Sequence, residues 1–139
     1  MAQVDFYVLD NVDEHSRFIL ACKLTEKAWR LGNKIHIHTM NQVDAERLDE
    51  LLWTFRNGSF VPHKLMGNGN PAPVSIGYGM DAMESRDLLI NLCDEIPAFM
   101  NTFPRIAELV TSKEECLQKS RKRYTIYRDQ GHTLEIHKI

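Results

Sequence analysis

The sequence predicts an α/β protein, a three-layer sandwich built on a largely parallel sheet. Three observations carry this. Short apolar runs rich in aromatic and β-branched residues, VDFYVL and DLLINL, read as strands covered on both faces. Segments with helical periodicity alternate with them. The first three elements follow the order strand, helix, strand, which is a βαβ unit. At 139 residues and 43 % apolar composition the chain fills one domain and is too short for two ordinary ones, so residues 1–139 are read as a single domain.

Val4 to Leu9 form the first strand. Asp13 caps the following helix, in which Phe18, Ala21, Cys22, Thr25, Ala28 and Trp29 share one face before Gly32 ends it. Ile35 and Ile37 alternate with His36 and His38 in the second strand. Asn41 opens a second helix with Leu48, Leu51, Leu52 and Phe55 on one side, and the fragment RNGS breaks it. Residues 57–73 hold Gly58, Pro62, Gly67, Gly69, Pro71 and Pro73, and read as a long loop. Val74 to Ile76, Asp87 to Leu92 and Ile106 to Val110 are further strands, with Pro97 and Pro104 bracketing a connection between the last two. Ser112 and Glu115 have the spacing of a capping box, and Gly131 stands just past a helix ending near Gln130. The tail HTLEIHKI alternates as a terminal edge strand.

The formal charge is −2, so the chain as a whole offers no footprint for a phosphate backbone. Between residues 113 and 128, however, six basic side chains stand against Glu114 and Glu115, a local +4 that leaves −6 for everything else. Such a strip suits a short acidic ligand better than duplex DNA. Cys22, Cys93 and Cys116 are odd in number and form no C-x-x-C pair, which reads as reduced cytosolic thiols. The N-terminus has no basic and long apolar leader, and no run approaches 18 apolar residues; a cytoplasmic protein is expected.

Chemistry-bearing motifs are sparse. The turn after the first strand, Asp10-Asn11-Val12-Asp13-Glu14, has no glycine to bring N–H groups to a phosphate and three acids to repel one. Gly67 to Pro71 reads as a structural turn. His36 and His38 have ligand-like spacing but no further donors marked out, so satisfied or half-exposed histidines are expected and neither a metal nor a cofactor is assigned. His63 could act as a general base, but no nucleophile can be placed beside it, and a role in fixing the loop is the better reading.

Two features point to partners. Trp53, Phe55 and Phe60 cluster at a helix end beside the breaker-rich loop, either as an interface or as closure of the core. Arg121, Tyr124, Thr125 and Arg128 fall on one face of the last helix, with Lys119, Lys122 and Arg123 adding charge around it.

The blocks FYVLD, LDELLWTFRNGSFVPHKLMGNG, APVSIGYG, RDLLINL and RKRYTIYRDQGHTL resemble, over nearly the whole chain, the chi subunit family of the bacterial DNA polymerase III holoenzyme. The resemblance implies a mononucleotide-binding-like fold without a phosphate loop, and a non-catalytic accessory subunit. It implies pairing with the psi subunit, connection to the clamp loader through psi, and binding of the acidic, phenylalanine-ending tail of single-stranded DNA-binding protein. Carried over to this sequence, Trp53, Phe60 and Pro62 resemble the surface for psi or another protein partner, an accessory helicase included. Arg121 and Tyr124 resemble the tail-binding pair, flanked by Thr125 and Arg128, with Val110, Leu134 and Ile136 on the apolar side. Thr125 and Leu117 depart from the lysines of the best-known members. The alternatives are a small α/β hydrolase and a nucleotide-binding module.

Overall fold

A parallel sheet buried on both faces needs a helical layer on each side, and the chain supplies both. The computed structural model describes residues 2–58, 60–66, 72–79 and 86–139. In chain order these form β1 (Gln3–Val8), α1 (Glu14–Arg30), β2 (Ile35–Thr39), α2 (Gln42–Thr54), β3 (His63–Leu65), β4 (Val74–Tyr78) and β5 (Leu88–Asn91), then a 3-10 turn (Met100–Thr102), β6 (Arg105–Val110), α3 (Glu114–Asp129) and β7 (Thr133–Lys138). Among the described residues the strands make one seven-stranded sheet in the order β3-β4-β2-β5-β6-β1-β7. Every neighbouring pair is parallel, so the anticipated three-layer sandwich holds.

Alternation along the strands sorts two cores. On one face Ile35, Ile37, Ile76, Ile90 and Leu109 pack beneath Phe18, Ala21 and Cys22 of α1 and Ala45, Leu48 and Leu52 of α2. On the other, Val4, Phe6, Leu89, Ile106 and Val110 meet Phe99, Met100, Phe103 and Tyr127. Fully burying one such side chain contributes about 1.5–3 kcal/mol, so each layer is held by its own set.

Local side-chain chemistry sets the first two helix starts. Asp13 accepts from the His15 N–H at 3.1 Å, and Asn41 from the Asp44 N–H at 2.9 Å. Gly131, at φ +86°, takes the left-handed position after α3. The anticipated capping box of α3 does not form. Its N-cap residue is Lys113, without a side-chain cap bond, and the Ser112 hydroxyl donates instead to the Leu9 carbonyl. The Ser112 N–H donates to the Asn11 carbonyl at 2.8 Å, so this serine ties the turn after β6 to the turn after β1.

Two further expectations change. Within 57–73 the structure places β3, paired with β4 alone, where a loop was expected; three residues are too few to show alternation. The turn at Gly67 to Pro71 lies outside the described residues. His36 and His38 are buried, not half-exposed, and pack against Phe99. His36 Nδ1 meets the Ser75 hydroxyl at 2.7 Å, but His36 Nε2 and His38 Nδ1 have no hydrogen-bond partner among the described residues.

Candidate partner-binding surfaces

Strand register brings the predicted tail residues together at the β7 edge. Phe6 stands opposite Ile136, Val4 opposite Leu134, and Val8 opposite Val110, so these side chains share the face covered by α3. Tyr124 reaches down from α3 to the Phe6 ring, with centroids 5.7 Å apart. Leu117, Tyr124, Val8 and Leu134 are partly buried against the same cluster, while Ile136 remains 56 % exposed. Val110 is buried to 1 % and supports the surface from beneath; it does not line it as expected. Arg121 and Arg128 lie three residues before and four after Tyr124, hence on the same helical face, and both are exposed. Their described ion pairs are weak surface ones: Arg121 to Glu114 at 3.8 Å and Arg128 to Asp129 at 3.4 Å. Thr125 is exposed and spends its hydroxyl on the Arg121 carbonyl at 3.1 Å. Phe6, 3 % exposed, supports this surface from beneath as Val110 does, with partly buried Val8 beside it; both read in the sequence only as strand core.

The basic strip divides where sequence spacing made it continuous. Arg123 is buried and donates from Nε to Glu108 at 3.1 Å and from Nη1 to the Asp94 carbonyl at 2.6 Å. Lys119 pairs with Asp94 at 2.9 Å and Glu115 at 3.2 Å. Together with Lys122, Lys119 lines a cleft of about 1050 Å³ on the other flank of α3, shared with His38, Cys93, Met100 and Ile126. Only Arg121 and Arg128, of the residues assigned to this charge, sit beside Tyr124. Glu108, which sequence reasoning did not single out, is fully buried, accepting also from Asn91 and Tyr127. Its signal was an acid inside the apolar run IAELV.

At the opposite edge of the sheet, the three aromatic residues separate. Phe55 packs against the core. Trp53 and Phe60 are 53 % and 73 % exposed, and Pro62 is exposed beside them in sequence, so core closure does not account for these three. The Trp53 ring lies 4.5 Å from the His63 imidazole. His63 Nδ1 faces the Val61 carbonyl at 2.6 Å and Nε2 the Asp49 carbonyl at 3.0 Å, so the nitrogen that carries the proton has a backbone acceptor on either side, between β3 and α2. The histidine fixes the chain and props the tryptophan.

The geometry gives little to the two alternative chemistries. In the turn after β1 the Asn11 side chain takes the Asp13 N–H at 3.0 Å and Asp13 takes that of His15, so these donors are already engaged. Burial pushes the Cys22 thiol up to about 12, and burial with Glu108 nearby does the same for Cys93. Both are thiols at neutral pH, the unreactive form.

Comparison with known proteins places this geometry in a family. The chain matches the family model described as DNA polymerase III chi subunit, HolC, over residues 1–135. It is 41 % identical over 139 residues to DNA polymerase III subunit chi of Pseudomonas aeruginosa, covering 100 % of this chain and 98 % of that one. The protein of the same name from Escherichia coli is 36 % identical, with 96 % of each chain covered. That from Haemophilus influenzae is 34 % identical, covering 96 % of this chain and 95 % of that one. Among solved structures, the crystal structure of T4 UvsW superposes with a TM-score of 0.67 at 7 % identity, over 99 % of this chain and 41 % of the other, a likeness of fold alone. The whole-length match to relatives of equal size is decisive, and this chain belongs to the DNA polymerase III chi subunit family.

Proposed function

We propose that this chi-family chain is a non-catalytic accessory subunit of the cytoplasmic replisome. It holds the psi subunit, and through psi the clamp loader, at one edge of its sheet. At the other edge it holds the acidic C-terminal tail of single-stranded DNA-binding protein. The observation that carries this reading is the separation of the two surfaces. Trp53 and Phe60 lie at the β3 edge and Arg121, Tyr124 and Ile136 at the β7 edge. Six strand spacings of about 4.8 Å put those edges roughly 30 Å apart. Two partners can therefore sit on one chain without meeting.

The chemistry differs at the two edges. Exposed Trp and Phe at a helix end supply large apolar anchors of the kind that dominate protein interfaces. The β7 edge pairs two exposed guanidinium groups with a tyrosine and apolar strand residues, which matches an acidic segment ending in an aromatic residue. The test is simultaneous binding. A fluorescent peptide with the last residues of single-stranded DNA-binding protein is titrated into the chain alone and into the chain saturated with psi. Equal affinity in both supports two independent surfaces; loss of peptide binding on adding psi sinks the reading. ATP, with or without magnesium, should leave the melting temperature unchanged, whereas a saturable rise would support a nucleotide-binding module instead.

A further inference from the structure

The β7 edge has a second face, turned away from α3, with a cluster that neither proposed partner uses. β1 and β7 pair with Asp5 opposite Glu135 and Tyr7 opposite His137. Period-two alternation sets Asp5, Glu135 and His137 on one face of the sheet. His137 Nε2 lies 3.0 Å from Asp5 Oδ1 and 3.6 Å from Glu135 Oε2, and the three donor atoms are all within 4.8 Å of one another. Donors bound at about 2.0–2.2 Å to a tetrahedral ion stand roughly 3.3–3.6 Å apart, so an ion would replace the His137–Asp5 hydrogen bond with a separation a few tenths of an ångström wider.

The surroundings favour a cation between them. Two carboxylates directly opposite on neighbouring strands repel each other, and Asp5 is 4 % exposed, so water does little to screen it. Arg105 Nη2 holds Asp5 Oδ2 at 3.2 Å and the Gln3 amide reaches Oδ1 at 3.3 Å, which orients the carboxylate. Glu135, exposed on the edge strand, is paired with His137. The Tyr7 ring stacks on the His137 imidazole at 4.9 Å with 19° between planes, fixing the plane in which Nε2 points. Two of the donors are thus held in place by neighbours, as a preorganised site requires.

We propose that Asp5, Glu135 and His137 bind a divalent transition-metal ion, zinc fitting best, with water completing the coordination. One imidazole nitrogen and two carboxylate oxygens form a donor set suited to zinc and unlike the all-oxygen shells of magnesium or calcium. A bound ion would tie the terminal edge strand β7 to β1. Sequence reading assigned no metal to this chain because Asp5 and His137 are 132 residues apart and meet only through the parallel pairing of the first and last strands.

The test uses the untagged full chain. Zinc chloride titrated by calorimetry should bind one equivalent and raise the melting temperature, while magnesium chloride should do neither. His137→Ala and Glu135→Gln, both at partly or fully exposed positions of the edge strand, should keep a native circular dichroism spectrum and weaken zinc binding by about tenfold or more. Cobalt should give a visible absorption band without a thiolate charge-transfer band, since Cys93 and Cys116 are the competing soft donors. Undiminished zinc affinity in both variants, a thiolate band with cobalt, or no binding to the wild-type chain overturns the proposal.

Discussion

The Tyr127 hydroxyl donates to the Glu108 carboxylate at 2.7 Å in the interior between α3 and β6. Burial pushes the Glu108 carboxyl up, against the opposing pull of Arg123 and of the hydrogen bonds from Asn91, Tyr127 and Arg123. Arg123 and Tyr127 stand one turn apart on α3, so one strand carboxylate grips the helix at two points. Tyr124, between them in sequence, is thereby held against Phe6 with Arg121 and Arg128 on the solvent side. The network fixes the rotation of the helix about its own axis, and so decides which basic residues face the β7 edge.

Removing the carboxylate should cost more than removing one of its donors. Glu108→Ala leaves the Arg123 guanidinium buried without its charge partner, a loss of about 3–5 kcal/mol of stability. Tyr127→Phe removes one hydrogen bond to a charged acceptor, about 1.5–3 kcal/mol. Urea denaturation of the two variants reads both numbers. A larger loss in Tyr127→Phe than in Glu108→Ala would show that the hydroxyl, not the ion pair, anchors the helix.

The legible parts of this molecule are those settled by neighbours in sequence. Asp13 and Asn41 announce their helices because each carboxyl or amide oxygen captures an N–H two or three residues on. Ser112 misleads because its hydroxyl finds the Leu9 carbonyl, 103 residues away. The same limit hid the Glu108 network: Arg123 reads as surface charge until β6 is placed beneath it, and the lone acid in IAELV has no sequence-local partner. Trp53 and Phe60 could not be separated from Phe55 by spacing, since which side of the helix end faces the core depends on β3, a strand too short to read.

Acid should destabilise the fold through the buried histidines. The His36 pKa is lowered from its usual 6.5 to about 3, by burial first and then by His38 and Arg86, and burial lowers His38 as well. As pH falls below about 6.5 the unfolded chain takes up protons that the folded chain resists, so stability declines through the window down to about pH 3. Each unit of that window is worth about 1.4 kcal/mol for His36 alone. Glu108, raised when folded, acts with the opposite sign in the carboxylate range, so a variant comparison is needed. The stability difference between wild type and His36→Asn should narrow by about 1.4 kcal/mol per unit between pH 6 and pH 4. Parallel pH profiles for the two proteins would count against the histidine.

At the β3 edge, truncation should separate binding from folding. Trp53 is more than half exposed, so Trp53→Ala should cost little stability beyond its contact with His63. As an interface anchor it should cost about 2 kcal/mol or more of psi binding, close to thirtyfold. Calorimetric titration with psi and a melting curve on the same preparation distinguish these. A variant that unfolds, or binds psi undiminished, rules out the interface role.

At the β7 edge the division of the basic strip yields a sharper test than net charge allows. Arg121 and Arg128 flank Tyr124, whereas Lys119 is committed to Asp94 and Glu115 and lines the cleft on the far flank of α3. Hydrogen bonds to charged groups contribute about 1.5–3 kcal/mol, so Arg121→Ala should weaken binding of the acidic tail peptide by roughly 10- to 150-fold. Arg121→Glu should weaken it further by repelling the same carboxylates. Lys119→Ala, which removes the same unit of charge a short distance away, should leave the affinity within about twofold, because exposed charges contribute little across a screened separation. Deleting the terminal phenylalanine of the peptide should cost affinity independently of salt, since the surface formed by Tyr124, Leu134 and Ile136 is apolar. The Arg121 contribution should shrink as salt is raised. Fluorescence anisotropy of a labelled peptide at two salt concentrations measures all of these effects. Equal losses in Arg121→Ala and Lys119→Ala would mean that the tail responds to the helix's total charge and not to a site beside Tyr124.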